Sequence, residues 1–194
     1  MSDDFFESNR ANLQAVEMAL DALSAMAPEF RGREEHSERW FYDLACDTVA
    51  GNHRILYLLD ALSGATSPWK SRVATRLLIQ ETIAVIEKMG ATLTRTFDNQ
   101  VTALTNNPTL LEPLQDGAKD FATFRRINDK DIRGFQKALN LVESSKKREQ
   151  VSFDHDLDTA AVMRLALATV IWMSGFGKAV TLLISALRTR PSPE

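Results

Sequence analysis

Apolar side chains recur along most of this chain at steps of three and four residues, the pattern of helices that bury one face. Over about 3–27 they also align seven apart. Phe6, Leu13, Leu20 and Ala27 form one row, and Val16, Leu23 and Phe30 form the row beside it, interrupted at Asn9. Two neighbouring heptad rows make a seam for another helix, in the same chain or in a second copy. Pro28 closes this element, and the charged stretch Arg31 to Glu38 links it to the next.

The second helix is predicted over 34–62, stopped by Ser63-Gly64. Phe41, Leu44, Thr48, Ile55, Leu59 and Leu62 mark one face, and Cys46, Val49, Ala50, Leu56 and Tyr57 mark another, so neighbours are expected on both sides. Ser67-Pro68 then restarts the chain, with the hydroxyl as N-cap and proline at the first helical position. The third helix is predicted over 68–104, with a seam of Ile79, Ile83, Ile86, Gly90, Leu93, Phe97 and Leu104.

Thr105 to Pro108 reads as a loop. The region 105–155 is less regular, and shorter helices are expected at about 109–127 and 129–146. The last helix, 157–188, begins at carboxylates suited to a helix N-terminus, Asp156 and Asp158. Its polar stripe is narrow: Ser174, Lys178, Thr181, Ser185 and Arg188. Ala161, Ala168 and Gly175 stand one heptad apart on it. Such a helix is expected at the centre of a bundle or in a dimer interface. The fold class that follows is all-α, a single-domain helical bundle of about five to six helices across 1–194.

Composition leaves that picture standing. Apolar residues make up 44% and charged residues 25% of 194 residues, ordinary globular values that exclude a disordered or fibrous chain. One cysteine, Cys46, offers neither an internal disulfide nor a zinc-ligand spacing, which suits a reducing compartment. The first 30 residues lack the basic start and apolar run of a secretory signal, so a cytoplasmic location is expected. The tract Thr159 to Leu187 is apolar enough to raise a membrane span. Arg164 and Lys178 bracket an uncharged stretch too short for one, and it reads as a core helix.

No catalytic pattern in the sequence is complete. Di-iron bundles need paired Glu-x-x-His motifs, and none occurs among the three histidines. Glu35 and Glu38 resemble half of the magnesium site of helical pyrophosphohydrolases, without a second half downstream. The acids of 153–158 lack the glycine and closing glutamate of a calcium loop and read as helix caps. Gly175-Phe176-Gly177-Lys178 lacks the first glycine, the hydroxyl residue and the strand of a phosphate-binding loop. No metal and no cofactor is expected.

Two surfaces retain interest. His53, Tyr57 and Asp60 fall on one side of the second helix and form a candidate polar pocket, able to shuttle a proton or simply to satisfy a core network. From 119 to 149 nine cations outnumber five acids, whereas residues 1 to 60 carry 12 acids and 5 cations. Arg125, Arg126, Lys130, Arg133 and Lys137, interleaved with Phe121, Phe124 and Phe135, form a candidate nucleic-acid face. The competing reading puts the phenylalanines in the core and pairs the basic region with the acidic one, within the chain or between copies.

Arg31 with His36 and Arg148 with His155 match the Arg-to-His spacing of HEPN ribonucleases, a spacing that 15 arginines also supply by chance. The run Arg126 to Phe135 resembles that family's Arg-Asn-Lys turn in degenerate form, with no histidine following. The first expectation is therefore a non-catalytic helical interaction protein, homodimeric through its first or last helix. An RNA-directed enzyme or binder and a small-ligand sensor are the alternatives, and a separate protein partner fits the first reading too.

Overall fold

The computed structural model describes Met18 and residues 36–99, 108–144 and 158–188. Within them the chain forms four helices and no strand: α1 (His36–Ser63), α2 (Pro68–Asn99), α3 (Pro108–Ser144) and α4 (Thr159–Arg188). The element expected over 3–27 lies outside these residues except for Met18, as do the end of the expected third helix beyond 99 and the loop at 105–107.

Local chemistry fixes the helix ends. The Gly64 amide donates to the Asp60 carbonyl at 2.9 Å, closing α1 in a turn. Ser67 then caps α2: its hydroxyl oxygen accepts from the Lys70 amide at 3.3 Å, and Pro68 gives up no hydrogen bond in the first turn. At α4 the Asp158 carboxylate accepts from the Ala160 amide at 3.0 Å, the capping role its position predicts.

One expectation needs correction. The region 109–146 is not two short helices; residues 108–144 form one helix, α3. The polar run at Asn128 to Asp131 suggests a break, yet the Asn128 side chain donates back to the Phe124 carbonyl at 2.9 Å, within the helix. Arg133 pairs with Asp129 one turn away. Phe121, Phe124, Ile132 and Phe135 stay buried on one face across the supposed break.

Neighbouring helices run antiparallel. Lys88 meets Asp47 at 2.6 Å and Glu81 pairs with Arg54, so the α1 and α2 numbers rise in opposite directions. Gln136 donates to Glu87 at 2.8 Å between α3 and α2. Phe121 and Phe124 of α3 lie beside Trp172 of α4. α4 packs on all three other helices, whereas α1 and α3 share no substantial contact. The cross-section is a rhombus with α2 and α4 across its short diagonal and α1 and α3 at its far corners.

The core sits along that diagonal. Ile55, Leu59, Leu78, Ile79, Ile86, Met89, Ile132, Leu165 and Met173 are fully enclosed. The span Thr159–Gly177 of α4 is the one described stretch long and apolar enough to cross a membrane, and 61% of its window is buried against the other helices. Ser174, read as part of a polar stripe, faces inward instead.

Candidate functional site

His53, Tyr57 and Asp60 share one side of α1, as their spacing predicts, and that side is the outer one. At about 100° per residue, the inward row Thr48, Asn52, Ile55 and Leu59 lies opposite them. All three are exposed, Tyr57 by 73%. Among the described residues no hydrogen bond joins them, and what they make is an open polar ridge rather than an enclosed pocket.

The polar groups that are enclosed are ones the spacing argument passed over. Asn52 is 0% and Thr82 1% exposed. Neither end of the Asn52 amide, nor the Thr82 hydroxyl, has a hydrogen-bond partner among the described residues. Gly51 lies against Val85, and Arg54 pairs with Glu81, which puts Asn52 and Thr82 at the same level between α1 and α2. Elsewhere in the interior, hydroxyls are satisfied by their own helices: Thr75 donates to Ser71 and Thr169 to Leu165, each at 2.8 Å.

On α3 the cations sort by side. Arg126, Lys130, Arg133 and Lys137 follow one another at steps of four, three and four, and Lys119 extends the same line towards the N-terminus. By the helical rotation these five occupy an arc of about 60° over about 27 Å of axis. All are exposed, on the side opposite Phe121, Phe124 and Phe135. Lys119 touches Asp116 at 3.1 Å and Arg133 pairs with Asp129. Arg126, Lys130 and Lys137 form no ion pair with any described residue. Arg125 does not belong to the row: its guanidinium reaches across to Gly90 on α2. The three phenylalanines are buried, so they offer no stacking platform beside the charges.

Two apolar surfaces remain open. On α2, Trp69, Val73 and Leu77 stand one turn apart and are exposed by 66%, 38% and 45%. The second is an open strip on α4. Arg164, Ile171 and Gly175 are exposed and Ala168 half-buried, at steps of four, three and four on the side of α4 turned from Met173 and Phe176. α1 and α3 lie on either side of α4 without substantial contact with each other, so the strip is the outer edge of the bundle. Gly51 packs on Met173, which sets Val49 level with Gly175 and Leu56 level with Ala168; both α1 residues are half-buried. Ile127 of α3, 72% exposed, stands near the level of Ala168 on the other flank. A Cβ added at Gly175 would meet nothing within 4 Å.

The remaining sequence motifs resolve simply. Gly175 to Lys178 is helical, with Phe176 in the core. Arg126 to Phe135, compared above with the HEPN turn, is the middle of α3. Arg31, Arg148 and His155 lie outside the described residues, as do Glu35 and the acids of 153–157. Among the described residues no three His, Cys, Asp or Glu side chains converge as metal ligands. Searches against protein-family models, curated proteins and solved structures return no match.

Proposed function

We propose that this protein is a non-catalytic helical interaction protein that works as a homodimer, with the open strip on α4 as its seam. The observation that supports this reading is that Ala168, Ile171 and Gly175 are left uncovered on an otherwise apolar helix. The small residues let the backbone of a helix lying there come close. The chain has a segment of the right kind: the heptad rows of 3–27 run about 37 Å if helical, and they present Phe6, Leu13, Val16, Leu20 and Leu23 along one seam. Two copies exchanging this segment each cover the other's strip.

The test is native mass spectrometry with light scattering on the full chain between 1 and 100 µM. Wild-type protein is expected at the mass of two chains. Ile171→Asp puts a charge on the seam at an already exposed position and is expected to yield single chains with unchanged helix content by circular dichroism. Trp69→Ala, on the other apolar surface, is expected to leave the mass of two chains. A wild-type protein of one chain throughout overturns the reading.

A further inference from the structure

The cation row of α3 has no use in the homodimer reading and is not spent on the fold. We infer that Lys119, Arg126, Lys130, Arg133 and Lys137 bind the phosphate backbone of a nucleic-acid duplex, without sequence preference. This rests on different residues from the proposed seam and stands or falls separately from it.

Three features of the row lead there. It is straight and one-sided, with cations at steps of three, four and seven residues over about 27 Å; between 119 and 137 the acids Asp120, Asp129 and Asp131 lie to its flanks, with Asp116 beside Lys119 and Glu112 on the same line one heptad before it. Arg126, Lys130 and Lys137 are held by no described carboxylate, so they bring their charge to a partner undivided. Last, the competing explanation, internal pairing with the acidic first third of the chain, fails for the part described. α1 stands at the far corner of the rhombus, and its Asp47 is already paired with Lys88.

The net charge of -3 does not cancel the row. Screening at physiological salt has a range of about 8 Å, so an incoming phosphate sees the nearest side chains and not the sum over the molecule. Burial of Phe121, Phe124 and Phe135 decides the kind of nucleic acid. Single-strand binders interleave cations with exposed aromatic rings on which bases stack; this row has none, and what it can read is a rigid line of phosphates. It has no amide or carboxylate set at base edges, so it positions without specifying.

The experiment is fluorescence anisotropy with the full chain and labelled 20-base-pair DNA and RNA duplexes of two unrelated sequences. Binding in the range of about 1 to 100 µM at 50 mM salt is expected for both sequences. Three to five phosphate contacts give a log-log salt slope of about -2.7 to -4.5, so raising salt to 200 mM weakens binding about 40- to 500-fold. Arg126→Glu with Lys130→Glu is expected to lose at least about tenfold at 50 mM and to flatten the slope by about 2. Arg126→Lys with Lys130→Arg is expected to keep both, which a merely structural role for the side chains does not require. DNA and RNA responding alike fits backbone binding; RNA alone responding narrows the ligand to A-form duplex. No binding at 100 µM protein, or binding that survives the charge reversal, overturns the inference. So does polyglutamate that matches the duplex in affinity and depends on the same residues, since that makes the ligand an acidic protein.

Discussion

Between α1 and α2 the interior is aliphatic and interrupted by polar groups, whereas between α3 and α4 it is aromatic and tightly fitted. Ile55, Leu59, Leu78 and Ile79 fill the first interface around Asn52 and Thr82, whose side chains have no partner there. In the second, Trp172 lies 4.6 Å from Phe121 and 5.4 Å from Phe176 by ring centroids, and its indole N–H donates to the Gly117 carbonyl at 3.2 Å. A Cβ at Gly117 would stand 2.6 Å from the Phe176 ring. One hairpin is limited by volume and the other by unmet hydrogen bonding. The same kind of substitution should therefore have opposite signs in the two.

The largest effect expected is at Phe176. Phe176→Ala removes a buried ring from the aromatic stack and is expected to cost about 3–5 kcal/mol in urea unfolding; a loss below about 1.5 kcal/mol would mean that the stack relaxes and is not volume-limited. Gly117→Ala comes next. Its clash with a ring that is itself buried costs about 1–3 kcal/mol, offset by about 1 kcal/mol of helix propensity, for an expected net loss of about 1 kcal/mol.

On the other side of the comparison, Thr82→Val keeps the shape and removes a hydroxyl with no partner, so a gain of about 1 kcal/mol is expected. A loss of similar size in the melting experiment would show that the hydroxyl is satisfied in solution. The smallest effect is the control on α3 itself. A Cβ at Gly134 meets nothing within 4 Å, and Gly134→Ala is expected to gain about 0.5–1 kcal/mol. If Gly117→Ala and Gly134→Ala shift stability alike, propensity alone governs both and the close fit at Phe176 has no energetic weight.

The helices were legible where burial and capping act locally. Ser63-Gly64, Ser67-Pro68 and Asp158 each mark a boundary through a bond to a residue two to four positions away, and the sequence shows both partners. The α2 seam at Ile79, Ile83, Ile86 and Leu93 is buried as its period predicts. α3 was misread because the polar run at 128–131 looks like a loop until Phe124, Ile132 and Phe135 are seen to share a wall with α2 and α4. Tertiary packing overrides local propensity there.

The candidate site was legible as a list of residues on one side of a helix, but not as inside or outside. His53, Tyr57 and Asp60 have the spacing of a cluster, and only the positions of α2 and α4 show that Asn52, one residue earlier, is the side chain that faces the core. The α3 row was half visible. Arg125 joins it by sequence and leaves it by rotation, while Lys119 does the reverse. The strip on α4 was legible in part: the sequence sets Ala161, Ala168 and Gly175 one heptad apart, and only the packing shows that Ala161 is buried while Gly175 is open.

The position of α4 in the packing has a consequence for synthesis. α2 and α4 each touch every other helix, and α4 is the last of the four to leave the ribosome, so α1 and α2 can pair first while the faces of α2 and α3 that α4 covers stay open to water. Phe121 and Phe124, which lie against Trp172, wait for a helix still being made. In such a chain a pause in translation before residue 159 lengthens the interval in which nascent copies can associate through unburied faces, and holdase chaperones should meet this protein during its synthesis rather than after it.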